Sequence, residues 1–490
     1  MNYQGFCELL ADIGVGPPKI SPSPYDTAWL ARLSGFETKA LQWLRDHQLP
    51  DGSWGTDIPM YAHDRAASTL AAIAALRQAG TALNAPEIRL ARDAAARYLQ
   101  ALKLDACGST VGFELIVPSL LQEVQALGVR LDVDEDLLQH LIWARQAKLS
   151  ALPDRKIDRR FTPSFSVELV GQDHLHLLDA NNLQAGNGSI AYSPSASAFF
   201  AKYVKPDDPD ALAYLNEMVN GDGAISYVGP IEVFDRGWAL WNLALAIPQG
   251  LDGDLRSLVD RSAKILLDEW QPGKGIASAI GLPLLDGDDT AIVLGALMSL
   301  GYEVDLDGLL AYKGAYNFRC YPLESDPSTS TNAHALHALA VAGRKLEDDE
   351  VRIAVNFLEG TRTAATFWFD KWHASPYYPT AHAVIALTGL VDTLAEPAVR
   401  WLERTQRRDG SWGWYQGTCE ETAYAVQALI TRHRACGDVS KDAIRRGYSW
   451  LIRHADDPHP QLWIGKVLYT PHVAVESAIL SARTMFEALW

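Results

Sequence analysis

The sequence predicts an all-α fold made of antiparallel helix pairs. Three observations carry this: Ala/Leu-rich segments with apolar residues three and four apart, breakers at helix-hairpin intervals, and a scarcity of alternating strand patterns. In chain order, 63–80 (HDRAASTLAAIAALRQAG) and 86–102 (PEIRLARDAAARYLQAL) form the first such pair. Later come 289–301 (DTAIVLGALMSLG), 330–343 (STNAHALHALAVAG), 379–394 (PTAHAVIALTGLVDTL), 420–433 (EETAYAVQALITRH) and 473–489 (VAVESAILSARTMFEAL). Gly, Pro or Asp/Asn clusters separate them. Only 189–193 (SIAYS) and 223–229 (GAISYVG) suggest short extended pieces. Helix pairs of this size either stack as a solenoid or close into a ring of double helices.

The length of 490 residues predicts two to three domains. The formal charge of −17, with no basic block, argues against nucleic-acid binding, which draws its affinity from phosphate neutralisation. The 15 Trp, beside 18 Tyr and 13 Phe, must fill cores or line something. Five scattered cysteines show neither a disulfide framework nor zinc-ligand spacing. No apolar run reaches the ~18 residues that span a bilayer. The N-terminal MNYQGFCELLADIG carries acids where a signal peptide needs basic residues. A soluble, cytoplasmic protein with reduced thiols is therefore expected.

A short unit recurs. Trp43-Leu44 precedes Gln48 and Asp51-Gly52-Ser53-Trp54; Trp401-Leu402 precedes Gln406 and Asp409-Gly410-Ser411-Trp412; a degenerate copy is Gln184 with Asn187-Gly188-Ser189-Ile190. Each reads as a helix end, a glycine turn and a ring able to stack on the Gln amide. Such units staple helices, and their presence near both chain ends suggests two similar helical domains.

The chemical signal is Asp286-Gly287-Asp288-Asp289-Thr290-Ala291, three carboxylates at the entrance of an apolar helix. Crowded carboxylates in apolar surroundings hold a proton at neutral pH, as a general acid requires. The same residues also suit an N-cap with first-turn acids, or a truncated calcium loop. No D-D-x-x-D, P-loop, H-E-x-x-H or G-x-S-x-G occurs. His334/His337 and His174/His176 lack metal-ligand partners and read as helix-surface or capping residues.

D-x-D-D-T-A resembles the general-acid motif of class II terpene cyclases, and the Q-x-x-D-G-S-W units resemble that family's repeat. Ser23-Pro24-Tyr25-Asp26-Thr27-Ala28-Trp29 is similar to the S-A-Y-D-T-A-W of labdane-type diterpene cyclases. Residues 111–121 (VGFELIVPSLL) resemble their V-G-F-E-x-x-F-P-S-L-L, and 192–198 (YSPSASA) their S-P-S-S-T-A. The stretches 165–173 (FSVELVGQD) and 187–201 (NGSIAYSPSASAFFA) are most similar to the bacterial branch that makes halimadienyl and kolavenyl diphosphates.

The resemblance implies two α/α-barrel domains, one inserted into the other: 1–35 with 240–490 carrying the acid motif, and 36–239 inserted. It implies protonation of the terminal alkene of geranylgeranyl diphosphate, bicyclisation and retention of the diphosphate, an isomerisation. Asp288 would be the donor, with Asp286 and Asp289 tuning it. Asn332 would hydrogen-bond the donor, or cap its helix. Rings to line a carbocation cavity are Tyr227, Trp238, Trp241, Trp368, Trp372, Tyr377 and Tyr378, each of which also suits a core. Lys148 and Lys371 are candidate diphosphate ligands or exposed lysines. Mg²⁺ is the expected cofactor. Plant relatives have an acidic motif before V-G-F-E where this chain has Asp105 alone, which is the one candidate metal ligand there. Copalyl-type enzymes hold a deprotonating water with a His and an Asn; Val167 and Tyr227 stand there, which favours a rearranged kolavenyl or halimadienyl skeleton. A downstream class I terpene synthase is the implied partner.

Copalyl diphosphate formation, drimenyl diphosphate formation from farnesyl diphosphate, and a triterpene cyclase are the alternatives within this chemistry. An α/α-barrel glycosidase and a non-catalytic isoprenoid-binding scaffold are the alternatives outside it.

Overall fold

The computed structural model describes residues 3–490 apart from 153–155, 248–250, 252, 323 and 325. In chain order the helices are α1 (Gln4–Asp12), α2 (Pro24–Leu30), α3 (Glu37–Asp46), α4 (Ala62–Gln78), α5 (Pro86–Ala101), α6 (Phe113–Ala126), α7 (Glu135–Ser150), α8 (Pro194–Phe199), α9 (Pro209–Met218) and α10 (Glu232–Ala246). There follow α11 (Gly253–Glu269), α12 (Gly287–Ser299), α13 (Asp307–Leu310), α14 (Thr329–Val341), α15 (Asp349–Thr361), α16 (Tyr377–Leu387), α17 (Asp392–Thr405), α18 (Cys419–Cys436), α19 (Lys441–Arg453) and α20 (His472–Glu487). One antiparallel hairpin, β1 (Trp463–Ile464) with β2 (Leu468–Tyr469), precedes α20.

The helices close into two rings. In the first, α10, α12, α14, α16, α18 and α20 touch in succession, and α20 returns to α10. Helices α1, α11, α13, α15, α17 and α19 pack outside it. In the second, α2, α4, α6, the 3₁₀ segment Thr162–Val170 and α8 close the circle, with α3, α5, α7 and α9 outside. The sequence pattern accounts for the layers. An inner helix meets neighbours on every side, so α4 is buried from Ala62 to Leu76 and is rich in Ala. An outer helix buries one stripe: α19 buries only Ala443, Ile444, Gly447, Trp450 and Leu451. Ser23, Ser193, Asp286, Ser328 and Thr418 each cap an inner helix by accepting a backbone N–H three residues on.

Each ring has its own core. One contains residues 6–13 and most of 233–485; the other runs from Ile20 to Ile231 and takes in Ala279 and Val467. The cores therefore change over between Ile13 and Ile20 and between Ile231 and Val233, earlier than the expected limits of 35 and 240. The reason is α2, whose Tyr25 and Trp29 are buried against α4 and α8 of the second ring.

The Gln units are hydrogen-bonded staples. Gln48 Nε2 donates to the carbonyls of Gly52 (2.9 Å) and Glu87 (3.0 Å), and Gln406 Nε2 to those of Gly410 and Ala443 (both 2.9 Å). The indole of Trp54 donates to the Leu44 carbonyl and that of Trp412 to the Leu402 carbonyl, both at 2.7 Å. Trp368 does the same to Leu358, also at 2.7 Å, and is a staple rather than a cavity ring.

The hairpin locks the rings together. Fully buried Lys466, between β1 and β2, donates to Glu168 Oε1 (2.8 Å), Ser193 Oγ (2.8 Å) and Ser195 Oγ (2.7 Å) of the second ring. Tyr25 also donates to Glu168 (3.0 Å), and Asp26 accepts from the Ser195 N–H (3.0 Å). All five cysteines are free thiols. Among the described residues no helix is long and apolar enough to cross a membrane.

Trp412→Phe removes the indole donor and leaves the Leu402 carbonyl buried. It is expected to cost about 1–3 kcal/mol in chemical denaturation while leaving the reaction product unchanged.

Candidate active site

The acid motif starts α12. Asp286 is the N-cap, and its Oδ1 accepts the Asp289 N–H at 2.7 Å. Gly287 is dictated by space: a Cβ there would lie 2.2 Å from the Arg319 carbonyl oxygen. Thr290 ties the turn to the preceding strand-like segment, accepting from the Ile276 N–H at 3.0 Å.

The three carboxylates have different surroundings. Asp286 and Asp289 are buried, whereas the Asp288 side chain keeps 20% of its surface exposed. Burial pushes Asp286 up to about 7. Burial, then the neighbouring Asp286 carboxylate, hold Asp289 well above the ordinary carboxylate range. Both shifts favour the protonated form, and one proton shared by the two carboxyls relieves their repulsion. Asp288 Oδ1 lies 2.6 Å from His334 Nδ1, and His334 Nε2 lies 2.8 Å from His382 Nδ1. Both imidazoles are buried on the axis of the first ring. Desolvation, then the surrounding imidazoles, push His382 well below its usual range, so it is neutral.

All three acids line a cavity between the rings. Its aromatic walls include Phe165, Tyr192 and Tyr227 from the second ring, and Phe234, Trp372 and Trp463 from the first. Of the rings expected there, Tyr227 and Trp372 are present. Trp238 lies beneath, edge-on to His334 at 5.4 Å, and Trp241 lies deeper against His337 and His382. Tyr377 packs on Trp401 of α17, and Tyr378 stacks on His373. A second depression, lined by Trp29, Ser119, Phe199 and Tyr203, lies in the other ring and holds none of the acids.

Other expectations need correction. Asn332 does not reach Asp288. Its amide holds the Phe318 backbone, accepting from N–H at 2.8 Å and donating to C=O at 3.0 Å. His334, two residues on and so on another face of α14, takes that place; it is neither a capping nor a surface residue. The one available sequence signal was its presence beside Asn332 in S-T-N-A-H. Lys148 pairs with Glu114, and Lys371 with Glu324, so neither is a free cation. Lys371 does lie over the Trp372 ring at 4.8 Å. Asp105 caps α4, accepting from the Ala62 and His63 N–H groups (both 2.9 Å), and meets His63 Nδ1 at 2.6 Å. Its oxygens are spent, and among the described residues no group of three or more His, Cys, Asp or Glu side chains could hold a metal ion.

The folded chain holds the Asp286 proton more tightly than the unfolded chain. Its contribution to stability is fully present below about pH 4 and is lost as the pH rises through about 7. Asp286→Asn is expected to flatten that part of the stability–pH curve; an unaltered slope in denaturant titrations would contradict the raised carboxyl.

Comparison with known proteins agrees with this geometry. Residues 322–464 match the squalene-hopene cyclase C-terminal domain family. The chain is 39% identical to a "type B diterpene cyclase" of Mycobacterium tuberculosis, covering 98% of this chain and 99% of that protein. It is 33% identical to an ent-copalyl diphosphate synthase of a Streptomyces species, over 96% of this chain and 93% of that protein. The structure of ent-copalyl diphosphate synthase from Streptomyces platensis superposes with a TM-score of 0.80 at 29% identity, covering 99% of both chains. With an acid motif opening into an aromatic cavity between two helical rings, this chain belongs to the class II diterpene cyclases.

Proposed function

We propose that this diterpene cyclase isomerises geranylgeranyl diphosphate by protonating its terminal alkene from Asp288. The observation that carries this is the difference among three adjacent carboxyls: Asp288 is the partly exposed one on the cavity wall, and it is bonded to an imidazole. Its second oxygen is left for the substrate. When Asp288 gives up its proton, the His334 Nδ1–H stabilises the new carboxylate. A proton shared by the Asp286/Asp289 pair limits that pair to one negative charge beside it.

The alkene carbon takes the proton and the neighbouring carbon becomes cationic. Ring closures, hydride and methyl shifts and loss of a proton complete an isomerisation in which the C–O bond to diphosphate stays intact. Aromatic faces such as Trp463 and Phe234 each stabilise a nearby cation by ~0.5–2 kcal/mol. Mg²⁺ enters this proposal only as a counter-ion on the diphosphate oxygens, which favour it. Lys371 stays a candidate diphosphate ligand through its place over Trp372, exchanging Glu324 for phosphate. The two rings serve as the two domains, with the second inserted between the parts of the first.

The product proposed is a rearranged bicycle, kolavenyl or halimadienyl diphosphate. Val167 is apolar and fully buried, and the Tyr227 hydroxyl accepts the Lys466 N–H at 2.9 Å. Neither supplies the polar pair that would end the reaction at the first bicyclic cation. The copalyl product named for the Streptomyces relatives is the competing reading. An allylic diphosphate left on the product is a leaving group for an ionising class I terpene synthase, the partner proposed downstream.

Asp288→Ala is expected to lower turnover by at least ~10²–10⁴-fold while prenyl diphosphate binding persists. Unchanged product formation would refute Asp288 as donor. Incubation with geranylgeranyl and farnesyl diphosphates, then dephosphorylation and NMR, identifies substrate and skeleton. Unrearranged copalyl diphosphate as main product would sink the rearranged assignment.

A further inference from the structure

A buried carboxyl group stands behind the cavity wall and takes no part in the protonation. Glu420, in the first turn of α18, is fully buried. We propose that Glu420, acting through the indole of Trp463, draws the positive charge of the reaction back toward the acid end of the cavity and so favours the rearranged skeleton. This rests on the reading of the product as a rearranged bicycle.

The neighbouring Glu421 shows what a structural acid does at this place. It accepts from Thr418 Oγ1 at 2.8 Å, from the Trp414 N–H at 2.7 Å and from Ser375 Oγ, and so closes the start of α18. Glu420 is bonded to aromatic side chains instead. Its Oε1 accepts from the Trp463 indole at 2.8 Å, the Tyr424 hydroxyl at 3.0 Å and His373 Nε2 at 3.1 Å. His373 Nδ1 accepts the Ser375 N–H at 3.1 Å, which leaves the hydrogen on Nε2. Three donors converging on one oxygen suit a carboxylate anion. Oε2 is buried without a hydrogen-bond partner. Among the described residues no lysine or arginine pairs with Glu420; its one partner of the ion-pair type is His373. Burial of a charge with so little opposing it is unfavourable, so the arrangement calls for a function.

Trp463 brings that charge to the cavity. Its indole lines the wall, whereas Glu420 itself does not reach it. Donation of the indole N–H to an anion enriches the π face, the face that attracts cations. Position along the cavity decides which cation benefits. Trp463 meets Trp238 edge-on at 5.5 Å, and Trp238 meets His334, the imidazole on Asp288, edge-on at 5.4 Å. Tyr378 touches both, Trp463 at 5.1 Å and His334 at 6.2 Å. The wall carrying Trp463 therefore belongs to the Asp288 end.

The chemistry gives that end a choice to make. After protonation and two ring closures, the positive charge lies in the second carbocycle, remote from the carbon that took the proton. Loss of a proton there gives the unrearranged bicycle. Alternatively a hydride or methyl group moves, with its electron pair, onto the cationic carbon from its neighbour. Each such shift leaves the charge one carbon nearer the protonated end, and loss of a proton beside the last cation completes the isomerisation. One proton enters and one leaves on either route. A negative charge behind the wall at the Asp288 end stabilises the later cations more than the earlier one, because attraction falls with distance.

The test uses the full-length enzyme and geranylgeranyl diphosphate. Glu420→Gln keeps the size of the side chain and an acceptor for the three donors but carries no charge. The ratio of rearranged to unrearranged bicyclic products is measured after dephosphorylation by gas chromatography–mass spectrometry, together with kcat and KM. The ratio is expected to fall ~2–30-fold, the span of one cation–ring attraction, with KM unchanged. Trp463→Phe keeps a ring without the indole donor, and the ratio is expected to fall there too. It decides the matter if Glu420→Gln does not fold by circular dichroism or forms no product. An unchanged or higher ratio overturns the proposal, even where the overall rate drops, since damaged packing slows both routes. Wild type that makes only unrearranged product refutes the skeleton reading and the role of Glu420 with it. Wild type that rearranges, beside a Glu420→Gln variant that rearranges equally, removes Glu420 alone.

Discussion

A carboxyl group withdrawn from water resists ionisation, and the first ring is organised around three of them. The N-terminus of α12 offers Asp286 a backbone N–H, which favours the anion by ~1.5–3 kcal/mol, and a dipole that adds ~0.3–1 kcal/mol. Desolvation of a buried carboxylate costs several kcal/mol. Burial therefore wins, and Asp286 rises to about 7 despite its cap. Gly287 allows the close turn, Thr290 ties it down, and the six-helix ring supplies the dry surroundings. All three line the cavity, but Asp288 alone keeps part of its side chain exposed there, and its imidazole partner comes from a different helix.

The second constraint is the junction of the rings. Lys466 carries a full charge into the interior and is matched there by Glu168 and two serine hydroxyls. A buried ion pair of this kind adds little net stability, but removing either partner strands the other. It is therefore a device for orientation. It sets the hairpin that carries Trp463 and Tyr469, and with them one wall of the cavity. Three separate sequence stretches meet at it: Tyr25 and Asp26, Glu168, and Ser193 with Ser195.

Much of this was legible in the chain. Helix pairs show in the spacing of Ala and Leu, and the acid motif shows as three carboxylates beside an apolar helix. The Asp-Gly turns revealed the staples at Trp54 and Trp412. The equivalent at Trp368 escaped because its turn uses Ala364 and Ala365 in the left-handed region, without Asp-Gly. Aromatic residues were harder to sort. A Trp under the acid, a Trp in a staple and a Trp on the cavity wall have the same local pattern, since all three lie beside apolar helices.

By itself, then, the sequence determined the helical class, the capped start of α12 and the presence of a crowded acid, because these depend on residues within a few positions of one another. The tertiary structure decided which groups serve that acid. His334 lies 46 residues from Asp288 and His382 a further 48, on α14 and α16. Asn332, two residues from His334, turns instead to the Phe318 backbone. Only closure of the ring brings those helix faces to a common axis, and the angle of each face is set by packing across the ring rather than by local preference.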